Sequence, residues 1–433
     1  MANNLSFLTK SKFTKKNGKK FNQQGLTFDW TGKNNSDEIL SLYKVNKSIN
    51  YDEFLQSFNT WCTPGLNFHY INKNGDYKIL PAGNSPIRFE KHNPLIPQIR
   101  SSSLTGWKEQ IKLQKYYQID DTAKNGYLVS ANNKLFISKD YISNYWEPIS
   151  RFDRINEVLS LEKPHNVPRA KYLQNDLLSP YAKQLLKICL PIIIDKKILL
   201  NSLEKQALNK LCRWNYILSS KDNTSSVYTL FFYNLLKCTF QDELGDKLFS
   251  EYTFISSVST RKIFELIDEN KSNVFDNVRT KEIENRNYTI FIAFKNAVKQ
   301  GTQLFGTDDI SKWKYGLIHT IEPEHILSRN KFIKNVFEIG KYPIGGNNTT
   351  ILNTDWNYSV PFSSVVYPSV RFVCDLSDTN IYFSLPGGVS GNPQNSNFKD
   401  QFQLWLNGGY ISISLSKNPN SNFKLKTLIK KKK

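Results

Sequence analysis

The sequence predicts an α+β fold in which strands come first, helices fill the middle and strands return at the end. Three observations carry this. In "LNFHYINKNGDYKILPAG", two alternating apolar runs flank Asn74-Gly75, the pattern of a β-hairpin. Segments such as "LEKQALNKLCRWNYIL" and "VYTLFFYNLLKCTFQDELGDKLF" repeat apolar residues at helical spacing across the middle third. From about residue 345, short apolar runs return between Gly, Asn, Pro and Ser turns. Two β regions around a helical segment fit one sheet system with the helices as an excursion from it. No low-complexity linker marks independent domains.

Taken in order, residues 1–24 are basic and polar without apolar period, so they read as a loose, disordered arm. Residues 25–150 read as β-rich. "GLTFDWTG" begins this part as a strand ending in a Gly turn. "SDEILSLYKVNK" reads as a helix, with Ser36 as N-cap and acids in the first turn. "NYDEFLQSFNTW" is a second helix, because Asn50 and Glu53 have capping-box spacing, and Pro64-Gly65 stops it. The hairpin follows, with Asn74-Gly75 read as a type I′ turn. After a loop holding Pro94 and Pro97, "GYLVSANN" reads as a strand that halts at Asn132-Asn133. Residues 151–340 read as mostly helical and 341–415 as the second β part. Residues 416–433 form a basic tail. No internal repeat is visible.

The 433 residues suffice for one large or two ordinary domains. A hydrophobic fraction of 39% with 13% aromatics describes a folded chain with an aromatic-rich core. The formal charge of +20 has two readings. A nucleic-acid partner would call for clustered Lys and Arg. The lysines here are spread along the chain, dense only at residues 10–20 and at the end, which favours solubilising charge. The five cysteines (Cys62, Cys189, Cys212, Cys238, Cys374) show no CxxC and no His at ligand spacing. That argues against a zinc site and a dense disulfide framework, while a single disulfide stays open. No run reaches the length of a membrane span, and "MANNLSFLTKSKF" has no signal-like apolar core. His319 and His325 lie six apart with Pro323 between them and read as core or surface residues. No GxSxG elbow occurs, and "SLPGGVSGNP" lacks the Lys-Ser/Thr of a phosphate loop, so it reads as a turn, as does Gly345-Gly346.

Several segments, in order, resemble the penicillin acylase family: "GLTFDWTG", "NYDEFLQSFNTWCTPGLNFHYINKNGDYKILPAGNSPIR", "GYLVSANNKLFISKDYISNYWEPISRFDRI", "YPIGGNNTTILNTDWN", "YPSVRFVCDLSD" and "LPGGVSGNPQNSNFKDQFQLWLNGGY". The likeness runs from Gly25 to about Tyr410. It implies an N-terminal-nucleophile amidohydrolase with an αββα sandwich, of which this chain is a part. Such a precursor cuts itself into an α and a β chain. The new N-terminal Ser of the β chain is the nucleophile and its own α-amine the general base. The substrates implied are linear amides, among them acylated β-lactams and acyl-homoserine lactones.

By this resemblance Asn132, the first Asn of the pair, donates its side-chain amide to the oxyanion. Arg154, 22 positions on, is the active-site Arg that orients or electrostatically supports the site, with Arg151 the nearby alternative. A preorganised donor at the oxyanion is worth roughly 10²–10³ in rate. The nucleophile of the family lies farther upstream of the pair than the 131 residues available, and the chain begins Met1-Ala2, so no nucleophile is expected within it. The expected reading is the C-terminal portion of a β chain, inactive and aggregation-prone alone because sheet edges would be uncovered. Its partners would be the α chain and the front of the β chain, with a small-molecule amide as substrate. The alternative is a degenerate, non-catalytic member kept for binding or structure. The resemblance leaves location open, periplasmic or secreted if the parent carries a signal peptide. It matches Pro94 to a carbonyl ligand of a calcium site, but Ser143 stands where an acidic ligand is needed, so no cofactor is expected.

Overall fold

The structure, a computed structural model, describes residues 6–9, 26–33, 35–98, 106–116, 126–135, 138, 140–161, 165–330, 332–378 and 380–414. The chain divides into two compact units, residues 1–128 with 134–143, and residues 129–133 with 144–433.

The first unit holds the hairpin and its helices. Strand β1 (Ser6–Thr9) pairs antiparallel with β2 (Leu26–Phe28), so part of the arm read as unstructured is a strand. Residues 1–5 and 10–24 of that arm lie outside the described residues. Helix α1 (Glu38–Lys47) is capped by Asp37 rather than Ser36, since Asp37 Oδ1 accepts the Leu40 N–H at 2.8 Å. Ser36 instead donates to Glu38 Oε2. An ionised carboxylate is the stronger acceptor for an orphan helix N–H. Helix α2 (Tyr51–Ser57) starts where the capping box places it, with Asn50 Oδ1 accepting from Glu53 N at 2.9 Å. The return bond from Glu53 goes one residue further back, to Ile49 N.

Strands β3 (Leu66–Ile71) and β4 (Tyr77–Ala82) form the expected hairpin. Its turn is not type I′. Gly75 N donates to Asn72 O and Asn72 N to Asp76 O, and Gly75 alone takes a positive φ, 90°. That is a type I turn closed by a glycine bulge, which spares Asn74 the left-handed conformation. Strands β5 (Asn84–Arg88) and β6 (Trp107–Lys112) pair antiparallel. Phe54, Phe58, Trp61, Leu80 and Ala82 make the core of this unit.

The second unit carries the helices: α3 (Ser150–Leu161), α4 (Val167–Leu173), α5 (Pro180–Asp195), α6 (Ser202–Cys212), α7 (Thr224–Thr253), α8 (Ser256–Glu269) and α9 (Arg286–Phe305). Asn201 and Glu204 form a complete capping box at the start of α6. Helix α7 is broken at Gly245, whose φ of 68° a helix cannot accommodate. The buried face of α7, including Phe231 and Leu235, packs with Ile290, Phe294 and Ala297 of α9 in the largest core.

The last long helix, α9, ends at Phe305, and only short helical pieces follow it. Strand β7 (Thr320–Ile321) lies inside the segment read as helical and joins β8 (Tyr342–Pro343), β9 (Asp355–Trp356) and β10 (Ser364–Val366) in a four-stranded sheet ordered β8-β7-β10-β9. A short helix α10 (Lys334–Phe337) intervenes. The C-terminal part is a three-stranded antiparallel sheet of β11 (Arg371–Cys374), β12 (Asn380–Ser384) and β13 (Ile411–Ser414), with α11 (Phe402–Leu406) before the last strand. Among the described residues no sheet exceeds four strands. The basic tail 416–433 lies outside them.

"GYLVSANN" is not a strand. Its described residues run as irregular chain and bend at Ala131–Asn133. A strand needs a ladder to a neighbour, and no sheet among the described residues includes this segment. Among them, no helix is long and apolar enough to cross a membrane.

Gly301 marks the tightest approach in the large core. A Cβ built there would run into the six-membered ring of Trp313, which is fully buried, stacked on Phe305 and tied through Nε1 to Thr307 O. Gly301→Val forces an over-packed core. The expected result is a loss of about 2–3 kcal/mol in urea unfolding, although Val is the better helix former of the two. A variant as stable as the wild type would show that the indole can move.

Candidate active site

The two asparagines and two arginines singled out from the sequence, Asn132, Asn133, Arg151 and Arg154, all lie in the second unit, so their geometry can be read within one body. Helix α3 begins at Ser150, which donates through Oγ to Thr349 O at 3.3 Å. Thr349 Oγ1 in turn meets Ser179 Oγ, the N-cap of α5, at 2.7 Å, and Asn348 Nδ2 donates to Thr260 of α8 at 2.9 Å. The "GGNNTT" segment is thus a buried, hydrogen-bonded turn that fastens α3, α5 and α8 together. Gly346 makes it possible: its φ is 90°, and a Cβ would strike Leu352 O.

Asn132 sits at the bend with φ 61°, a left-handed conformation that Asn tolerates better than most residues. Its carbonyl accepts the Glu147 N–H at 3.0 Å, and its Oδ1 accepts from Arg151 Nη2 at 3.1 Å. Arginine only donates. The bond therefore settles which way the amide faces: Oδ1 is turned to Arg151, and the Nδ2 hydrogens point elsewhere from an exposed side chain. The neighbouring Asn133 is buried and accepts the Ala131 N–H through Oδ1 at 3.0 Å. The pair divides its work, Asn133 shaping the bend and Asn132 offering a donor.

Arg151 and Arg154 are three apart on α3, neighbours on one helical face. Only Arg151 touches Asn132. Arg154 donates from Nε (3.0 Å) and Nη2 (2.7 Å) to Asp176 Oδ2 and from Nη1 to Glu157 Oε2 (3.0 Å). Burial alone would lower the Arg154 pKa, but these two carboxylates outweigh it and raise it. Asp176 is itself buried and accepts the Leu178 N–H.

Behind Arg151 lies a cluster absent from the sequence reading. Glu147 Oε2 is 3.8 Å from Arg151 Nη2. Asp355, at the start of β9, takes a hydrogen bond from Ser256 Oγ at the start of α8 and one from the Trp356 N–H. Arg261 of α8 donates to Asn144 O. Burial raises the Glu147 carboxyl, with Arg151 and Arg261 opposing. Burial lowers the Arg151 pKa, with Glu147 and Asp355 opposing. Burial pushes Asp355 up to about 7, and the charge of Glu147 adds to it while Ser256, Trp356 N–H and Arg151 pull back. The four-residue spacing of Glu147 and Arg151 was the one sequence signal for this cluster. Nothing local announced Asp355, which arrives from far along the chain.

His319 is buried and stacked on Tyr315, and His325 caps a short turn by accepting the Leu327 N–H. Pro94 lies in a surface loop of the first unit, and Ser143 supplies no charge with which to hold a calcium ion. These residues do not fit that site. Among the described residues, no three His, Cys, Asp or Glu side chains are grouped to hold a metal ion, and none of the five cysteines is in a disulfide.

Comparison with known proteins adds to this geometry. The sequence profile of the Penicillin amidase family matches residues 9–421. An acyl-homoserine lactone acylase QuiP from Pseudomonas aeruginosa is 24% identical over 325 residues, 68% of this chain and 38% of that protein. The protein of the same name from Pseudomonas syringae pv. tomato is 25% identical over 317 residues, with the same shares covered. The chain thus spans well under half the length of these curated relatives. Among solved structures, a thermostable penicillin G acylase from Alcaligenes faecalis superposes with a TM-score of 0.57 at 15% identity, over 91% of this chain and 73% of that one. At that identity the likeness is one of fold.

Proposed function

This chain belongs to the penicillin amidase family, and from that premise we propose that it is the C-terminal part of an amidohydrolase acting on linear, non-peptide amides. The αββα sandwich and the N-terminal Ser nucleophile belong to this reading, with the Ser lying outside these 433 residues. In it, the Ser hydroxyl attacks the carbonyl carbon while the Ser α-amine takes its proton. The carbonyl oxygen becomes an oxyanion, and Asn132 Nδ2 donates to it. The tetrahedral intermediate collapses, the α-amine returns the proton to the leaving nitrogen, and water then releases the acyl group from the Ser. Arg154 supports the site electrostatically from α3.

The observation that carries this reading is the Asn132 amide. Its Oδ1 is committed to Arg151, so its Nδ2 hydrogens are the part left to present. A donor aimed before the reaction costs no reorganisation when charge develops. The names of the relatives favour an N-acyl-homoserine lactone or an N-acylated β-lactam as the amide.

The test is made on the protein isolated from its native cells. Intact mass and N-terminal sequencing are expected to find these residues in an assembly with a Ser N-terminus. That assembly is expected to release homoserine lactone from its N-acyl derivative, or the amine from a phenylacetyl amide. A native protein with no nucleophilic N-terminus and no amine release from either substrate would overturn the proposal.

A further inference from the structure

We propose that Arg151, held by Glu147 and Asp355, is a positioning residue that sets the orientation of the Asn132 amide, and that this unit ties the site to the start of α8 through Ser256. The inference rests on the reading of Asn132 as the oxyanion donor. It assigns the positioning to a residue other than Arg154, whose guanidinium is spent on Asp176 and Glu157.

The geometry runs in one direction. An Asn side chain can turn over and exchange its oxygen and nitrogen, and an isolated exposed one has little to choose between the two. At Asn132 the exchange would bring NH₂ against Arg151 Nη2, two donors face to face at 3.1 Å. The backbone adds its share, because Glu147 N holds Asn132 O and Glu147 sits four residues before Arg151. Arg151 is mostly buried, its side chain 11% exposed, so it needs fixed counter-charges. Glu147 supplies one by contact. Asp355 supplies another from β9, anchored by Ser256 Oγ and Trp356 N. One nitrogen, Nη2, meets both the Asn132 oxygen at 3.1 Å and the Glu147 carboxylate at 3.8 Å, and the guanidinium plane fixes the directions of its hydrogens, which a freely rotating lysine ammonium does not.

The cluster also carries a pH dependence. The groups facing Asp355 are Glu147 from the loop before α3, Arg151 from α3, Ser256 from α8, and the rings of Tyr315 and Tyr358, while Arg261 faces Glu147. Asp355 gains its charge as pH rises through about 7. Arg151 is then held from both sides.

The experiment uses the native assembly and Asn132 itself as the reference. Arg151→Gln is expected to lower kcat at least about tenfold with little change in KM, since an amide that wanders loses most when the oxyanion forms. Arg151→Lys is expected to recover part of that loss. In an Asn132→Ala background, Arg151→Gln is expected to cost nothing further, because its effect passes through Asn132. An equal loss in both backgrounds would overturn the proposal, as would no loss at all. Glu147→Gln, which leaves the Asn132 contact in place, should behave the same way on a smaller scale if Arg151→Gln unfolds. A readout without turnover separates this from the wider functional reading. In protein labelled with ¹⁵N-asparagine, the Asn132 side-chain NH₂ signals, identified by their loss in Asn132→Ala, are expected to move to freely solvated positions in Arg151→Gln. Signals that stay put would refute the positioning whether or not the protein is an amidase.

Discussion

Asn132→Ala is expected to lower kcat of the proposed amidase by about 10²–10³ while KM moves little. The timing of the bond sets this split between kcat and KM. A ground-state carbonyl is a modest acceptor, and the oxyanion that replaces it is a strong one, so the Nδ2 donor contributes mainly in the transition state. The substitution also has a structural side, because residue 132 holds φ 61°, and Ala resists the left-handed region by roughly 1–2 kcal/mol. Asn132→Gly removes the amide without that strain. The two variants should therefore lose similar activity, while only the alanine variant loses stability. Asn132→Asp is the sharper companion. It keeps the shape and draws Arg151 closer, yet it puts a carboxylate where a donor is needed. It should be at least as slow as the alanine variant and no less stable than the wild type. Activity within a few-fold of wild type in Asn132→Gly would remove Asn132 from the mechanism.

How far the sequence announced this arrangement depends on the range of the forces involved. Local signals were readable. Asn50 capped α2 and Asn74-Gly75 marked a hairpin, because each is decided by a few neighbouring backbone groups. The finer form of the turn was missed, since a type I turn with a bulge and a type I′ turn draw on the same two residues. The strand read into "GYLVSANN" failed for a different reason. Apolar alternation describes a surface that can join a sheet, but the ladder must come from elsewhere in the chain. The site split the same way. Asn132 was visible only through the family pattern, and the 22-residue spacing of that pattern chose Arg154, whereas the arginine bonded to Asn132 is Arg151. The partners of the two arginines decide what each does, and those partners lie 19 and 22 residues away. Asp355 and Ser256 are 99 residues apart, and they meet in the same region where the buried "GGNNTT" turn is bonded to α3, α5 and α8.

The second large effect is on stability, and it centres on His319. The ring is fully buried, with Nδ1 2.7 Å from Phe362 O, Nε2 3.2 Å from Thr354 Oγ1, and Tyr315 stacked at 4.7 Å. The Phe362 carbonyl accepts from Nδ1–H, and it is burial that disfavours the charged ring. Burial depresses its pKa from 6.5 to about 4, with the hydrogen bonds to Phe362 and Thr354 opposing. The folded protein therefore binds fewer protons than the unfolded chain between those values. Its contribution is complete above pH 6.5 and is lost as pH falls toward 4, a change of about 3 kcal/mol. Asp355 works against it. Its carboxyl is raised from 3.8 to about 7, so its contribution is complete below pH 3.8 and is lost as pH rises through about 7. The wild-type curve is consequently flatter than either group alone would make it. Variants separate the two. His319→Gln has no proton to gain, so its stability relative to wild type should improve by about 3 kcal/mol between pH 7.5 and pH 4 in urea unfolding. Asp355→Asn removes the opposing group and should make the acid loss steeper than in the wild type. A difference between His319→Gln and wild type that stays constant with pH would mean that His319 titrates normally in the folded protein. Water would then reach the ring, and the core around Tyr315 would be looser than its packing describes.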